Sequence, residues 1–453
     1  MICRSHHCER SAAMTKSIEK YQAKFVDLRW TDIYGKEQHL TLHASFLKNA
    51  NFANGYLIDL AKIGDSLLHD RCFLQPDLAT MVLDPFFHDT TIQVRCDIID
   101  SVSQAAYLYD PRAILTRAEQ YLKDTGIADD IYFGLSLDFF LFDNIRWKSS
   151  VDETFYKIDS EGTFWNSAKK IDGGNVGHSP HVGSGGFATS PIDCAQDVRS
   201  AISLALENLG IKVVAHYHAS AGANQCRLII DFDTLKKTAD AVQIIKYVVR
   251  HVAHNYGKTA TFMPKPLIAE HGSGMSCRQF LMQASNNLFI HTNTSALSEL
   301  ALYYLGGILK HIKALNAFTN PTTLSYKRLL AEDNRVFLAK LNHINNVELN
   351  FPDATANPYL AFAALLMAGI DGIQNKIHPK TVIKKFNDDW IELPISENLR
   401  DALNFLDHDK EFLMRHNVFA HDFIATYIDI KNKEWRLISG LVHPMEFELY
   451  YSL

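Results

Sequence analysis

The sequence predicts an α+β fold with a small N-terminal domain followed by a larger second domain. Three observations lead to this prediction. Near the start of the chain, apolar and polar residues alternate as they do in half-buried strands. Further along, helical patterns alternate with short apolar strands. Between these regions the pattern changes at Asp110-Pro111-Arg112, where a proline stands just ahead of a helical spacing, and we place the domain boundary there.

The first 23 residues precede the predicted fold. The opening MICRSHHCERSAA lacks the apolar segment of a secretory signal, and either Met1 or Met14 could be the true start. We therefore predict that residues 1–23 form a disordered extension. His6, His7 and the two early cysteines could bind a metal, although an incidental tail is the favoured interpretation.

Residues 24–110 are predicted to form the N-terminal domain. Lys24 to Thr41 alternates apolar and polar residues around a Tyr-Gly turn, a pattern that is typical of a β-hairpin. A second pair of strands is predicted at Ala79 to Pro85 and Thr91 to Ile99. These four segments indicate a small, strand-rich unit.

Residues 111–453 are predicted to form the second domain. Its longest apolar stretch, Tyr359 to Ile370, is too short to cross a membrane and predicts a buried helix. Helices are predicted at Ala113–Asp124, Cys194–Leu209, Thr234–Tyr256, Ser295–Leu315 and Asn357–Asn375, and strands at Tyr132–Phe142, Val213–His218, Arg227–Phe232 and Val347–Phe351.

Charge and cysteine content restrict the classes of partner. The formal net charge is -6 and no long block of Lys and Arg occurs, which argues against a nucleic acid or an anionic membrane as the main partner. The seven cysteines form no CxxC pair, which favours a reducing compartment and predicts a cytoplasmic protein. The ligand is therefore expected to be a small molecule or another protein.

Two predicted strands carry candidate site residues. In the strand Val213 to His218, period-two alternation places His216 and His218 on one face and Tyr217 on the other. A two-histidine metal site is conceivable there, but a structural pair is the favoured interpretation because no carboxylate or cysteine lies near on that strand. Ser136 and Asp138 share a face of another strand, and Asp138 could be either a metal ligand or a hydrogen-bonded structural residue.

The chain resembles the type I bacterial glutamine synthetases. The resemblance extends from about Lys24 to Leu453 in matching order, through segments such as PDLATMVLDPFF, KYVVRHVAHNYGKTATFMPKP, GSGM and FPDATANPYLAFAALLMAGIDG. It implies an N-terminal β-grasp domain and a larger catalytic-type domain with a curved antiparallel sheet and helices. It also implies stacked rings of subunits, with the terminal segment Glu446–Leu453 inserted into the opposite ring.

The reaction that the resemblance implies is the ATP-dependent ligation of glutamate and ammonia. In this family ATP is the phosphoryl donor and Mg²⁺ or Mn²⁺ ions neutralise the phosphate charge. Because phosphoryl transfer depends on positioning and on charge neutralisation, carboxylates that hold the metal ions are central to it. The motifs that supply these ligands can be compared with this chain.

Most of the family's metal ligands are replaced in this sequence. The motif E-P-E-F-F-L-F-D reads Ser136-Leu-Asp138 and onward, so one Glu has become Ser and the other a shorter Asp. Two further Glu positions, in the family motif H-H-H-E-V-A-T-A-G-Q-N-E, are Ala219 and Arg227. Glu348 matches the metal Glu of a fourth motif and is retained.

The glycine loop is also altered. The family motif G-S-G-M-H-C-H begins here at Gly272, a weak candidate for substrate binding, and has Ser276 and Arg278 in place of its two histidines. The family's Arg-rich glutamate and phosphate clamp is missing from Leu329–Asn346, which leaves Arg328 as a residual candidate for catalysis.

Two further family segments have no match. The D-G-S-S loop, which completes a neighbouring subunit's site in the family, has no clear counterpart in Asn51–Leu68. The regulatory tyrosine of the family has none in Phe386–Pro394.

These replacements predict a glutamine synthetase homologue that has lost its ligase activity and acts by binding, by self-association into rings or by co-assembly with an active paralogue. The alternative is an active ATP-dependent glutamate–ammonia ligase, or a related γ-glutamyl ligase, with a rearranged metal set of Asp138, Glu348, His216 and His218. A third alternative is a gene product that has no present function.

Overall fold

The computed structural model describes residues 3–49, 55–60, 71–168, 177–290, 298–331, 335–336, 346–383, 386–387, 390–392 and 395–451. The chain divides into two compact units, Met1–Ala118 and Glu119–Leu453. The predicted boundary at residue 110 lies at the start of the helix that runs across this division. The exact domain bounds of 24–110 and 111–453 stay a prediction.

The first unit is built on one mixed sheet. Its strands lie in the order β2-β1-β6-β4-β3, with β5 beside β6. Strand β1 is antiparallel to β2 and parallel to β6, and β5 is antiparallel to β6. The two predicted strand pairs, β1 with β2 and β5 with β6, therefore both form. The elements are α1 (Cys3–Tyr21), β1 (Phe25–Thr31), β2 (Glu37–His43), α2 (Ala44–Asn49), β3 (Tyr56–Asp59), β4 (Arg71–Pro76), β5 (Val82–Leu83), β6 (Thr91–Asp100) and, across the division, α3 (Pro111–Asp124).

The N-terminal helix differs from the prediction of a disordered extension. Met14 and Ile18 of α1 are buried in the same apolar cluster as Val26 and Leu28 of β1. A spacing of four residues places both side chains on one face of a helix, where they cover apolar surface of the sheet. The residues around Met14 and Ile18 are mostly polar, so the sequence shows no clear amphipathic pattern here.

The second unit is built on a larger sheet with helices. Its described strand pairs are antiparallel, in the order β10-β11-β7-β13-β14, with β12 beside β7 and β16 beside β13. Its strands are β7 (Asp130–Phe142), β8 (Asn144–Ser149), β9 (Thr154–Asp159), β10 (Val213–His218), β11 (Gln225–Thr234), β12 (Thr259–Thr261), β13 (Met275–Gln283), β14 (Asn286–Asn287), β15 (Arg335–Val336), β16 (Val347–Leu349), β17 (Phe386–Asn387) and β18 (Trp390–Glu392). Its helices are α4 (Gln196–Asn208), α5 (Leu235–Asn255), α6 (Glu299–Thr319), α7 (Thr323–Ala331), α8 (Pro358–Gln374), α9 (Pro379–Val382), α10 (Leu399–His408), α11 (Glu411–Met414), α12 (His421–Ser439) and α13 (Pro444–Tyr450).

Helices α6 and α8 of the second unit pack closely against each other. Helix α8 is buried along most of its length, as the apolar stretch predicted. A Cβ atom at Gly307 of α6 would lie 2.1 Å from the carbonyl oxygen of Ala368 and 2.6 Å from Cα of Gly372, so only glycine permits this approach. Among the described helices, none is both long and apolar enough to cross a membrane. The α+β class is confirmed.

Candidate functional site

The predicted site positions lie on neighbouring strands of the larger sheet. In antiparallel pairs, residues directly opposite each other point to the same face. Arg227 of β11 is opposite Asp138 of β7, and Ser276 of β13 is opposite Ser136 of β7. The same rule places Arg278 of β13 opposite Glu348 of β16. Strand pairing therefore brings these predicted positions to one face of the sheet.

An ion pair between Arg227 and Asp138 is the main contact on this face. The Arg227 Nε and Nη2 atoms lie 2.5 Å and 2.6 Å from the two carboxylate oxygens of Asp138, which is a bidentate arrangement. The Asp138 side chain is 4% exposed, and the Arg227 side chain is 33% exposed. Burial opposes the charged guanidinium, but the hydrogen bonds and charge of Asp138 raise the pKa of Arg227 above its ordinary value.

Arg278 lies across the strand next to its own. Its Nη2 atom donates a hydrogen bond of 3.0 Å to the carbonyl oxygen of Ile230 in β11, and its Cζ atom is 4.8 Å from the ring centroid of Phe232. A Cβ atom at Gly134 would lie 3.1 Å from Nη2 of Arg278, so the side chain passes directly over β7 at that glycine. Burial lowers the pKa of Arg278, and the charges of Glu348 and Asp231 oppose that shift.

Glu348, the predicted match to the family's metal Glu, lies on β16 opposite Arg278. Burial raises the pKa of Glu348, while the charges of Arg278 and Arg227 act in the opposite direction. Within the described residues, its carboxylate takes part in none of the ion pairs or hydrogen bonds of this face. Its electrostatic neighbours are guanidinium groups.

The two histidines lie on the opposite face of the sheet. Tyr217 is opposite Arg227, whereas His218 is opposite Cys226 and His216 is opposite Leu228. The predicted alternation is therefore confirmed, but it separates both imidazoles from the face that carries Asp138. The Nδ1 atom of His218 lies 2.9 Å from the carbonyl oxygen of Ala219, which is itself buried.

His216 lies near the buried ion pair between Arg199 and Asp193. Burial and the charge of Arg199 lower the pKa of His216, while Asp193 opposes this effect. The rearranged metal set of Asp138, Glu348, His216 and His218 is thus not assembled, because the sheet separates its members. The pairing of the strands decides on which face each residue lies. Alternation within one strand does not show which residues of a distant strand share its face.

Arg328 holds the glycine loop in position. Its guanidinium donates hydrogen bonds to the carbonyl oxygens of Asn350 at 2.8 Å and Phe351 at 3.0 Å. A Cβ atom at Gly272 or at Gly274 would lie 2.7 Å from an atom of the Arg328 side chain, so the loop and the arginine fit together only with glycine. The structure thus places Arg328 against backbone, where it supports the loop.

Gln225 is a residue of this region that the sequence analysis missed. Its Nε2 atom donates to the carbonyl oxygen of Gly272 at 2.9 Å, and its Oε1 atom accepts from the backbone N–H of Ala221 at 3.0 Å. Both ends of the amide are used, so Gln225 links the glycine loop to the turn after β10. No local pattern marks such a residue. One partner, Gly272, is distant in the sequence, and the contact with the other, Ala221, depends on the conformation of the turn.

The donor set does not fit a pair of divalent metal ions. Such ions need several oxygen ligands each, and most of these are carboxylates in a two-metal site. Here Asp138 is committed to Arg227, Glu348 is a single carboxylate, and serines stand at 136 and 276. In the described part of the chain, no group of three or more His, Cys, Asp or Glu side chains is arranged to hold a metal ion.

Several predicted differences fall partly outside the described residues. These include most of Leu329–Asn346, where the Arg clamp is missing from the sequence, most of Asn51–Leu68, and parts of Phe386–Pro394. Residues 452 and 453 of the terminal segment also lie outside the described residues. The differences there stay predictions from the sequence.

Comparisons with known proteins identify the family. The model of the glutamine synthetase β-grasp domain matches residues 22–101, and the model of the glutamine synthetase catalytic domain matches residues 108–450. A protein of Methylococcus capsulatus named glutamine synthetase is 45% identical over 463 residues, covering 96% of this chain and 98% of the relative. A protein of Escherichia coli with the same name is 44% identical over 460 residues, with the same coverage.

A solved structure shows the same fold. The cryo-electron microscopy structure of Plasmodium falciparum glutamine synthetase is 25% identical in sequence and superimposes with a TM-score of 0.88, covering 97% of this chain and 98% of that one. The β-grasp domain and the catalytic-type domain expected from the sequence are thereby confirmed. With two family models that together match most of its length, this chain belongs to the glutamine synthetase family.

Proposed function

We propose that this glutamine synthetase homologue acts by binding and assembly, and that it does not catalyse the ligase reaction at this sheet face. The observation that carries the proposal is the bidentate ion pair between Arg227 and Asp138. A guanidinium that uses both oxygens of a buried carboxylate competes directly with any metal ion for that ligand.

The chemistry of the family explains why this contact matters. Transfer of a phosphoryl group from ATP requires cations that neutralise the developing charge, and these cations are normally held by several carboxylates. Loss of one well-placed electrostatic group commonly slows catalysis by about 100-fold to 1000-fold. With Ser136, Ala219, Arg227 and Ser276 at four ligand positions of the family, we propose that Mg²⁺ or Mn²⁺ binds weakly and that turnover is lost.

The C-terminal part of the chain supports a role in assembly. Its end exposes a series of apolar side chains on α12, on α13 and between them, namely Leu437, Ile438, Leu441, Val442, Met445 and Leu449. Contiguous exposed apolar residues on a protein surface commonly mark a contact with another protein. We propose that this segment docks on a second copy of the chain or on an active paralogue, as part of a ring assembly.

The second candidate function is the ATP-dependent glutamate–ammonia ligase itself. Relatives that are 43–45% identical over 96% of the chain all have the name glutamine synthetase, and on this ground the ligase is the better supported of the two. The comparisons do not support the inactive interpretation. That interpretation rests only on the residues and contacts of the sheet face. A ligase would need metal ligands from outside the set described above.

A turnover assay on the assembled protein separates the two functions. The full chain would be sized by light scattering and then assayed for phosphate release from ATP with glutamate, ammonia and either Mg²⁺ or Mn²⁺. We expect an oligomer without phosphate release above the background of a sample lacking glutamate. Glutamate-dependent phosphate release together with glutamine formation would refute the proposal and establish the ligase.

We propose a reducing compartment on the ground of the thiols. Among the described residues, Cys96, Cys194, Cys226 and Cys277 are free thiols. Together with the cysteine spacing in the sequence, this favours the reducing environment of the cytoplasm, which stays a prediction.

A further inference from the structure

We propose that the Arg227 guanidinium serves as a built-in cation, which neutralises Asp138 and holds the glycine loop in place, so that this sheet face keeps its structure without a divalent metal ion. This inference deepens the proposed function and rests on it for its significance. Its basis is the set of contacts around one buried carboxylate.

Both oxygens of Asp138 are engaged. Oδ1 accepts a hydrogen bond from Nε of Arg227, and Oδ2 accepts one from Nη2 of Arg227 and one of 3.3 Å from the backbone N–H of Gly274. A metal ion at this carboxylate would have to displace the guanidinium. A buried carboxylate that is already paired and hydrogen-bonded has little to gain from that exchange.

The surroundings hold the guanidinium where it is. Arg227 lies between Asp138 on β7 and Tyr217 on β10, and its Cζ atom is 6.0 Å from the centroid of the Tyr217 ring. A cation near the face of an aromatic ring is stabilised by the charge distribution of the ring. The planar fork of arginine also matches a carboxylate in a way that lysine cannot.

A second positive charge on the face disfavours added metal ions. Arg278 is directed over Gly134 towards β11, and the charges of Arg278 and Arg227 both act on Glu348. A divalent ion near Glu348 would therefore experience repulsion from two guanidinium groups. The retained carboxylate alone does not create a cation site under these conditions.

The pair is connected to the glycine loop by backbone contacts. The Asp138 N–H donates to the carbonyl oxygen of Gly274 at 3.0 Å, and the Gly274 N–H returns a bond to the Asp138 side chain. Arg328 packs against the same loop at Gly272 and Gly274. Without Arg227, the buried carboxylate would lose its charge partner next to this loop, and we infer that the loop would be destabilised.

Thermal melts with and without metal test the inference. The full-length wild type and the variants Arg227→Gln, Arg227→Lys and Arg227→Glu would be melted in a chelator and in millimolar Mn²⁺. We expect the wild type to melt at the same temperature in both. Arg227→Gln should melt about 5 °C lower in the chelator, because a buried charge is left unpaired. Arg227→Lys should fall between the two, since it keeps the charge and loses the fork.

The Arg227→Glu variant tests whether the guanidinium occupies the position of a divalent metal ion. It should melt lowest in the chelator, because like charges then face each other, and Mn²⁺ should recover part of the loss. Arg146→Gln serves as the matched control, since Arg146 faces Asp159 at 3.8 Å across an exposed hairpin and should melt like the wild type. Calorimetric titration with Mn²⁺ provides a second readout for each folded variant.

Four outcomes would overturn the inference. They are a wild type that Mn²⁺ stabilises, an Arg227→Gln variant that melts like the wild type in the chelator, an Arg227→Lys variant no more stable than Arg227→Gln, and an Arg227→Glu variant that folds but does not respond to Mn²⁺. If Arg227→Glu does not fold, the wild type and the other two variants decide the result. The wild type could release phosphate in a glutamate-dependent way while its melting temperature is the same with and without Mn²⁺. That result would refute the proposed function but not the inference about Arg227.

Discussion

The larger sheet and the helical layer of the second unit each bury a carboxylate, and they neutralise it in different ways. On the sheet, Asp138 is paired with one guanidinium, a group that stays charged at every physiological pH. In the helical layer, Asp371 of α8 accepts from Nε2 of His311 at 3.0 Å and is also paired with Arg415 at 2.6 Å. An imidazole changes its charge near neutral pH, so only the second cluster is expected to respond to pH.

The His311 cluster joins several helices. The Nδ1 atom of His311, on α6, lies 2.7 Å from a carboxylate oxygen of Asp409 just after α10, and its ring stacks on Phe412 of α11 at 3.9 Å. Burial alone would lower the pKa of His311, but the hydrogen bonds and charges of Asp371 and Asp409 raise it. Burial also opposes ionisation of Asp371, yet His311, Lys310 and Arg415 hold the pKa of that carboxyl at about 2. Protonated His311 thus ties α6, α8 and the end of α10 together.

Removal of the two carboxylates should give the largest effects and rank the clusters. Asp371→Ala leaves three cationic partners without their shared anion, whereas Asp138→Ala leaves one. We expect losses in the free energy of unfolding of about 4 kcal/mol and about 3 kcal/mol respectively, because each variant removes the anion that its buried or partly buried cationic partners share. Denaturant unfolding of both variants, followed by circular dichroism, measures the difference.

The control for this pair is a carboxylate at the surface. Asp231 lies 2.5 Å from Lys212, and both side chains are exposed, so Asp231→Ala should lose only about 0.5 kcal/mol. A loss for Asp138→Ala as small as that of the control would mean that the sheet face does not depend on its ion pair.

The pH dependence of stability should distinguish the two clusters next. Because the folded-state pKa of His311 is raised, its contribution is fully present below its unfolded pKa of about 6.5 and is lost as the pH rises through the raised value. The depressed pKa of Asp371 acts at the other end, with stability lost as the pH falls from about 4 to about 2. Melting temperatures measured from pH 5 to pH 9 should fall above neutrality in the wild type.

His311→Asn should remove that alkaline decline, whereas Arg227→Gln should lower the melting temperature and leave its pH profile unchanged. An alkaline decline that survives in His311→Asn would assign the effect to another group. A changed profile in Arg227→Gln would remove the contrast between the clusters.

The smallest effect is expected at Glu348. Because burial raises its pKa and it makes no close ion pair with the arginines, Glu348→Gln should change the free energy of unfolding by less than about 0.5 kcal/mol. The variant should also leave the response to Mn²⁺ unchanged. A clear loss of stability would show that the arginine charges stabilise Glu348 more than its contacts suggest. A wild type that Mn²⁺ stabilises and a Glu348→Gln variant that it does not would show that Glu348 holds a cation.

Local sequence patterns predicted the individual elements well. The hairpin around the Tyr-Gly turn, the buried helix α8 and the shared face of His216 and His218 all follow from the spacing of neighbouring residues. The prediction of disorder before residue 24 did not anticipate α1, because Met14 and Ile18 are too few to form a strong pattern and gain their burial from the sheet. The candidate site positions were proposed from the sequence through the family motifs, and their roles stay predictions.

Amino-acid order alone thus determined the α+β class, the family and the positions at which this chain differs from the family motifs, since these depend on residue types and on short-range periodicity. The tertiary structure decided where these positions lie relative to one another. Antiparallel pairing of β11 with β7 sets Arg227 opposite Asp138, although 89 positions separate them. The same pairing puts both histidines on the other face. Register between distant strands depends on the packing of the whole sheet, and no local pattern contains it.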